Sequence, residues 1–92
     1  MFPDNSNPDY IVENQQDEGK IFTAEKSGLM YVQLRSKPST ELEASIKIDD
    51  STVAAKYLPT SQYKSDSVLI PIKKGSVVSV YITSGQLRSI VL

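Results

Sequence analysis

Ninety-two residues with neither histidine nor cysteine exclude catalytic triads, imidazole metal sites and thiol nucleophiles at the outset. Ten basic against eleven acidic side chains leave a net charge of −1, which supplies no long-range field for gathering nucleic acid or an anionic membrane. A chain this short folds as one domain with a small core, burying roughly 60–65% of its unfolded surface.

Cysteine-free composition fits folding in a reducing cytosol. Met1-Phe2-Pro3-Asp4 has neither the basic start nor the apolar centre of a signal peptide, and no run approaches the ~18 apolar residues of a membrane span. A soluble protein without a signal peptide is therefore expected. Residues 1–20 hold two prolines, three asparagines, two glutamines and five acidic side chains, so they read as a polar N-terminal arm in which only Tyr10-Ile11-Val12 could dock as a short strand.

The composition changes at Lys20, and residues 21–92 read as one β-sandwich domain. Lys20 to Ala24 gives a first strand, and after Glu25-Lys26-Ser27-Gly28 a second alternates Met30, Val32, Leu34 against Tyr31, Gln33, Arg35. Beyond the Ser36–Thr40 loop, Leu42, Ala44, Ile46 and Ile48 share one face of a third. Asp49-Asp50 then makes a turn into Ser51–Tyr57, with Val53, Ala55 and Tyr57 together on one side, which predicts a hairpin. Leu58–Asp66 is an exposed polar loop. Ser67 to Ile82 carries the clearest pattern: Val68, Ile70, Ile72 and then Val78, Val80, Ile82 face a core, on either side of Lys73-Lys74-Gly75. It reads as a second hairpin. Gln86–Leu92 closes the chain as a buried strand. Seven or eight strands with no helical period define an all-β protein, an antiparallel β-sandwich or jelly roll.

If the inward set fills the core, Leu29, Tyr31, Leu69, Val77 and Tyr81 remain outside, with whichever of Ile90 and Leu92 points outward. A contiguous apolar patch would mark an oligomer interface. Alternatively, the loops or the arm cover that face within one chain.

Paired carboxylates are the remaining route to hydrolysis, and Glu41 with Glu43, or Asp49 with Asp50, are the candidates. A solvated strand edge and a hairpin turn explain them better, so no enzyme activity is expected. Asp49, Asp50 and Asp66 match no calcium-loop spacing. No metal or cofactor is expected. Lys73-Lys74 reads as charge protecting a hairpin tip rather than an anion site. Around the long loop, Tyr57, Gln62, Tyr63, Lys64 and Asp66 combine rings with amide and charged groups, a composition suited to gripping a sugar or a protein surface. Equally, Tyr57 could close the core and Tyr63 pack the loop.

TAEKSGLMYV (Thr23 to Val32) resembles the opening segment, and IPIKKGSVVSV (Ile70 to Val80) the strand pair, frequent in the small C-terminal β-sandwich domains of bacteriophage tail fibres and receptor-binding proteins. Those domains are in turn similar to trimeric jelly rolls of the tumour necrosis factor type. Glu25 stands where proline is common, and Ser76 where aspartate is common. The resemblance, covering Ile21 to Leu92, implies a homotrimer whose loops touch a host cell-surface glycan or protein. It implies a virion location in the phage tail, with assembly in the host cytoplasm. A monomeric carbohydrate-binding accessory module is the alternative, weakened by the lack of tryptophan. A barrel binding single-stranded nucleic acid is disfavoured by the charge.

Overall fold

A computed structural model describes residues 10–37, 40–59 and 65–92. Eight strands run in order as β1 (Tyr10–Val12), β2 (Lys20–Thr23), β3 (Gly28–Arg35), β4 (Leu42–Ile48), β5 (Ser51–Leu58), β6 (Ser65–Ile72), β7 (Val77–Ser84) and β8 (Gln86–Val91). They form two four-stranded antiparallel sheets, ordered β1-β8-β3-β6 and β2-β7-β4-β5.

The pairs β1·β8, β2·β7, β3·β6 and β4·β5 are successive lengths of one long antiparallel ribbon. Folding it so that neighbouring lengths alternate between sheets adds the pairings β3·β8 and β4·β7 and gives a jelly roll. Backbone hydrogen bonds carry the ribbon round its corners. At one corner Ala24 N–H donates to Ser76 O and Gly75 N–H to Ala24 O, at 2.9 and 2.8 Å. At another, Gln16 and Leu87 exchange both bonds at 2.9 Å.

This corrects the reading of Ser67–Ile82 as a hairpin. β6 and β7 lie in opposite sheets, and Lys73-Lys74-Gly75 is a corner between them. Ile72 is paired with Gly28 and Val77 with Thr23, so each strand bonds to a partner from the first half of the chain. Alternation reports which face is buried and says nothing about which strand lies alongside. The inward residues are as expected: Ile70, Ile72, Val78 and Val80 are buried, and Val68 and Ile82 pack against them half-buried.

The true tight hairpin is β4·β5. Asp49 and Asp50 both hold positive φ, 49° and 68°, the geometry of a two-residue hairpin turn that aspartate tolerates. Asp49 also locks the turn to β7: its N–H donates to Val77 O, and its Oδ1 accepts from Val77 N–H, both at 2.9 Å. A bulge then shifts the register, since Ile46 faces Ala54 but Lys47 faces Thr52, leaving Val53 as the extra residue. As a result Val53, Ala55 and Tyr57 face solvent, while Ala54 and Leu58 pack on the core.

The core is Met30, Val32, Leu34, Leu42, Ala44, Ile46, Val78, Val80, Leu87 and Ile90, with Val12, Ala24, Ile70 and Ile72 around it. Gly85 is required between β7 and β8. It adopts φ +92°, and a Cβ there would stand 2.5 Å from Leu42 Cδ1. The four edge strands are each blunted. β1 and β2 are only three and four residues long. β6 carries Pro71, tolerated because an edge strand need not donate on its open side. β5 holds the bulge and the inward Lys56, whose Nζ lies 3.4 Å from Asp66 Oδ2 on β6, an ion pair across the open side of the sandwich.

Candidate functional site

The outer face of β2-β7-β4-β5 is built by register. One row runs Tyr81, Ser45, Ala55 across β7, β4 and β5, and the next sets Glu43 beside Tyr57. A second bulge leaves Thr83 extra on β7, since Glu43 faces Ser84 while Ala44 faces Ile82. The small side chains of Ser45 and Ala55 make a floor, and Tyr57 and Tyr81 rise on either side of it, 60% and 44% exposed. The result is an open groove of about 390 Å³ lined also by Glu43, Lys56 and Thr83. Its size lies at the lower end for ligand sites.

Polar groups hold the walls. Tyr57 donates its hydroxyl to Glu41 Oε2 at 2.9 Å, which pins the ring. That bond raises the phenol above its ordinary pKa, because ionisation would both break it and put a second negative charge beside Glu41. Thr83 donates to Glu43 O at 3.2 Å. Lys47 Nζ stands 5.6 Å from the centroid of the Tyr81 ring, within cation–π range. Two aromatic walls, a small-residue floor and an adjoining carboxylate offer flat apolar faces next to hydrogen-bonding groups. That combination suits a sugar ring, which has apolar C–H faces and a polar rim.

Of the ligand-binding residues proposed from sequence, Tyr57 stands in this groove. Asp66 does not: it points inward at the sandwich's open side, held by Lys56 and by the Ser67 N–H at 2.8 Å. Gln62, Tyr63 and Lys64 lie outside the described residues. Tyr81, a candidate oligomer-interface residue from the sequence, lines this groove. Ser45, Ala55 and Thr83 were not singled out, although the signal was there: small outward residues interrupt a face otherwise carrying Glu43, Lys47 and Tyr57. Glu41 and Glu43 do share a neighbourhood, but through Tyr57 rather than as a carboxylate pair. Among the described residues no group of three acidic, histidine or cysteine side chains is placed to hold a metal ion, and no helix is long and apolar enough to cross a membrane.

The outward apolar set does not form one patch. Leu29, Tyr31 and Leu69 lie on β1-β8-β3-β6, and Val77 and Tyr81 on the opposite sheet. Ile90 belongs to neither, being fully buried, because a bulge at Arg88 sets it opposite Val32. Leu92 packs half-buried against the core. On the first sheet register makes a continuous row, Tyr10, Val91, Tyr31, Leu69, with Leu29 beside Pro71 in the next. This face is flat and apolar where the other is grooved.

The fold and groove define a β-sandwich of jelly-roll type with an aromatic-walled trough on one sheet. No family model matches the sequence, and no curated protein does. Solved structures do match the fold. A family 35 carbohydrate-binding module from an environmental isolate aligns with a TM-score of 0.57 at 18% identity, over 90% of this chain and 72% of that one. A family 35 module from Clostridium thermocellum aligns at 0.54 and 12% identity, over 92% and 93%. An exo-β-1,3-galactanase from Phanerochaete chrysosporium, a variant solved with β-1,3-galactotriose, aligns at 0.53 and 12% identity over 91% of this chain but only 29% of the enzyme. At these identities the likeness is one of fold. The three include no phage tail fibre, so the resemblance drawn from the sequence holds for the jelly-roll architecture alone.

Proposed function

We propose that this chain is a non-catalytic glycan-binding module, and that the glycan lies in the groove between Tyr57 and Tyr81. The observation that carries this reading is the pair of exposed tyrosines lining one groove with Ser45 and Ala55, Tyr57 held by its bond to Glu41. The fold shared with two carbohydrate-binding modules supports it. Tryptophan is the usual large platform, but a tyrosine on each side of a narrow floor supplies two smaller ones. A phage-type attachment module would share the glycan partner, yet its trimer has no support in the groove or in the fold likeness.

Affinity electrophoresis through gels containing xylan, mannan, β-glucan or β-1,3-galactan tests the reading. At least one polysaccharide retards the native protein, and the double variant Tyr57→Ala, Tyr81→Ala runs freely. Equal retardation of the double variant would remove the groove from the function. No retardation by any of the polysaccharides would end the glycan reading.

A further inference from the structure

The groove does not stop at Tyr81. On the other side of that ring a second depression of about 260 Å³ is lined by Gly19, Lys20, Ile21, Val80, Tyr81 and Ile82. Register explains the space. Lys20 faces Val80, which sets Gly19 opposite Tyr81, and Gly19 has no side chain to fill the position. None could be added, since a Cβ there would stand 1.9 Å from Val80 O. The next outward residue on β2 is Ile21, opposite Ser79 and 61% exposed, among the most exposed large apolar side chains of the described residues. Tyr81 is therefore a wall shared by two depressions on one face, and the trough crosses every strand from β5 to β2.

Resting on the glycan reading, we infer that this trough takes an internal segment of a linear glycan chain, with Tyr57, Tyr81 and Ile21 as successive platforms. Four strands span three inter-strand spacings, ~14 Å, and the diagonal from Tyr57 to Ile21 adds the stagger between rows. That is longer than a disaccharide. A pocket that reads a chain end is a single depression, whereas this face carries two, one on each side of Tyr81. Tyr81 stands between the two depressions, so a chain lying across both uses its ring in the middle of the bound segment. Ile21 contacts only the sugars beyond Tyr81, so its contribution is invisible to a ligand that fills the larger depression alone.

The test is calorimetric titration of the native chain and of Ile21→Ser with oligosaccharides from disaccharide to hexasaccharide. They are cut from whichever of xylan, mannan, β-glucan or β-1,3-galactan retards the protein, and circular dichroism checks the fold of the variant. Affinity should climb with length beyond the disaccharide, and Ile21→Ser should weaken the hexasaccharide about tenfold, the loss expected from uncovering part of one aliphatic side chain. Disaccharide binding should be unchanged. Affinity that levels off at the disaccharide, or that grows with length but ignores Ile21, overturns the extended trough while leaving the glycan reading in place. Absence of binding to every polysaccharide removes the reading itself.

Discussion

The two outer faces of this sandwich are made from the same kinds of strand over the same core, yet one is grooved and the other flat. On β1-β8-β3-β6 the outward row in register, Tyr10, Val91, Tyr31 and Leu69, is apolar and has no glycine, alanine or serine in it to leave a gap. On β2-β7-β4-β5 the row Gly19, Tyr81, Ser45, Ala55 holds one large side chain among small ones, and Ile21 and Tyr57 stand in the rows on either side of it. Concavity here comes from side-chain size in cross-strand rows. The two bulges on β4's partners lie on this sheet as well, and each turns a residue, Val53 or Thr83, out of the ladder beside the groove.

The largest effects should come from what the faces share. Met30 lies beneath the flat face and Ile46 beneath the groove, both essentially unexposed. Truncating either to alanine should cost about 2–5 kcal/mol by urea denaturation, through lost burial and the cavity left behind. Similar costs are expected for the two, because one core serves both sheets. A cost for Ile46→Ala several times smaller than for Met30→Ala would mean that the grooved sheet is loosely packed and that its floor is mobile.

Binding should separate the faces. Tyr57→Ala or Tyr81→Ala should each lower glycan affinity about tenfold or more, in the range of a central interface residue, ~1.4 kcal/mol per factor of ten. Tyr31→Ala on the flat face should leave it unchanged, which titration calorimetry can check. Loss of binding with Tyr31→Ala and not with Tyr57→Ala would exchange the roles of the two sheets.

These roles were only half legible in the sequence. Strand positions could be read because each has a sustained period of two, and the inward set Met30, Val32, Leu34, Ile46, Val78 and Val80 follows from that period alone. Pairing could not. Jelly-roll partners such as Gly28 and Ile72 lie far apart along the chain, and the nearest apolar run, which suggested a β6·β7 hairpin, belongs to the other sheet. Losing the sheet assignment also lost the site. Tyr81 and Tyr31 look equivalent as outward aromatics until register puts one beside Ser45 and the other beside Leu69. Of the residues lining the groove only Tyr57 is legible as a ligand contact, because it adjoins the long polar loop, and its partner in the groove sits 24 residues on, in a strand whose neighbours no local pattern reveals.

A smaller effect is expected from charge on the flat face. Leu69 is 58% exposed at the centre of β6, so Leu69→Lys should change stability by less than about 0.5 kcal/mol. If chains associate through the Tyr10–Leu69 row, light scattering will show the native protein above 10.2 kDa and the lysine variant at the monomer mass. Glycan affinity should be the same for both, since the row lies on the sheet away from Tyr57 and Tyr81.

The finest distinction is between two phenols. Tyr57 donates to a carboxylate, and its pKa is raised, by the bond to Glu41 first and by Glu41's charge second. Tyr31 accepts bonds, from Ser67 first and then from Gln33 Nε2 at 3.3 Å, and its pKa is lowered because those donors favour the phenolate. The consequences for stability run in opposite senses around the ordinary phenol value of ~10. Tyr57's contribution is complete below that value and is lost as pH climbs through its raised native pKa. Tyr31's contribution sets in as pH climbs through its lowered native pKa and is complete above the ordinary value. An ultraviolet titration of phenolate absorbance should therefore lose a component above the ordinary phenol value in Tyr57→Phe and one below it in Tyr31→Phe. Saturating glycan should move the Tyr57 step and leave the Tyr31 step in place, since the flat face is untouched. A ligand that moved the Tyr31 step instead would put the bound sugar on the wrong side of the sandwich.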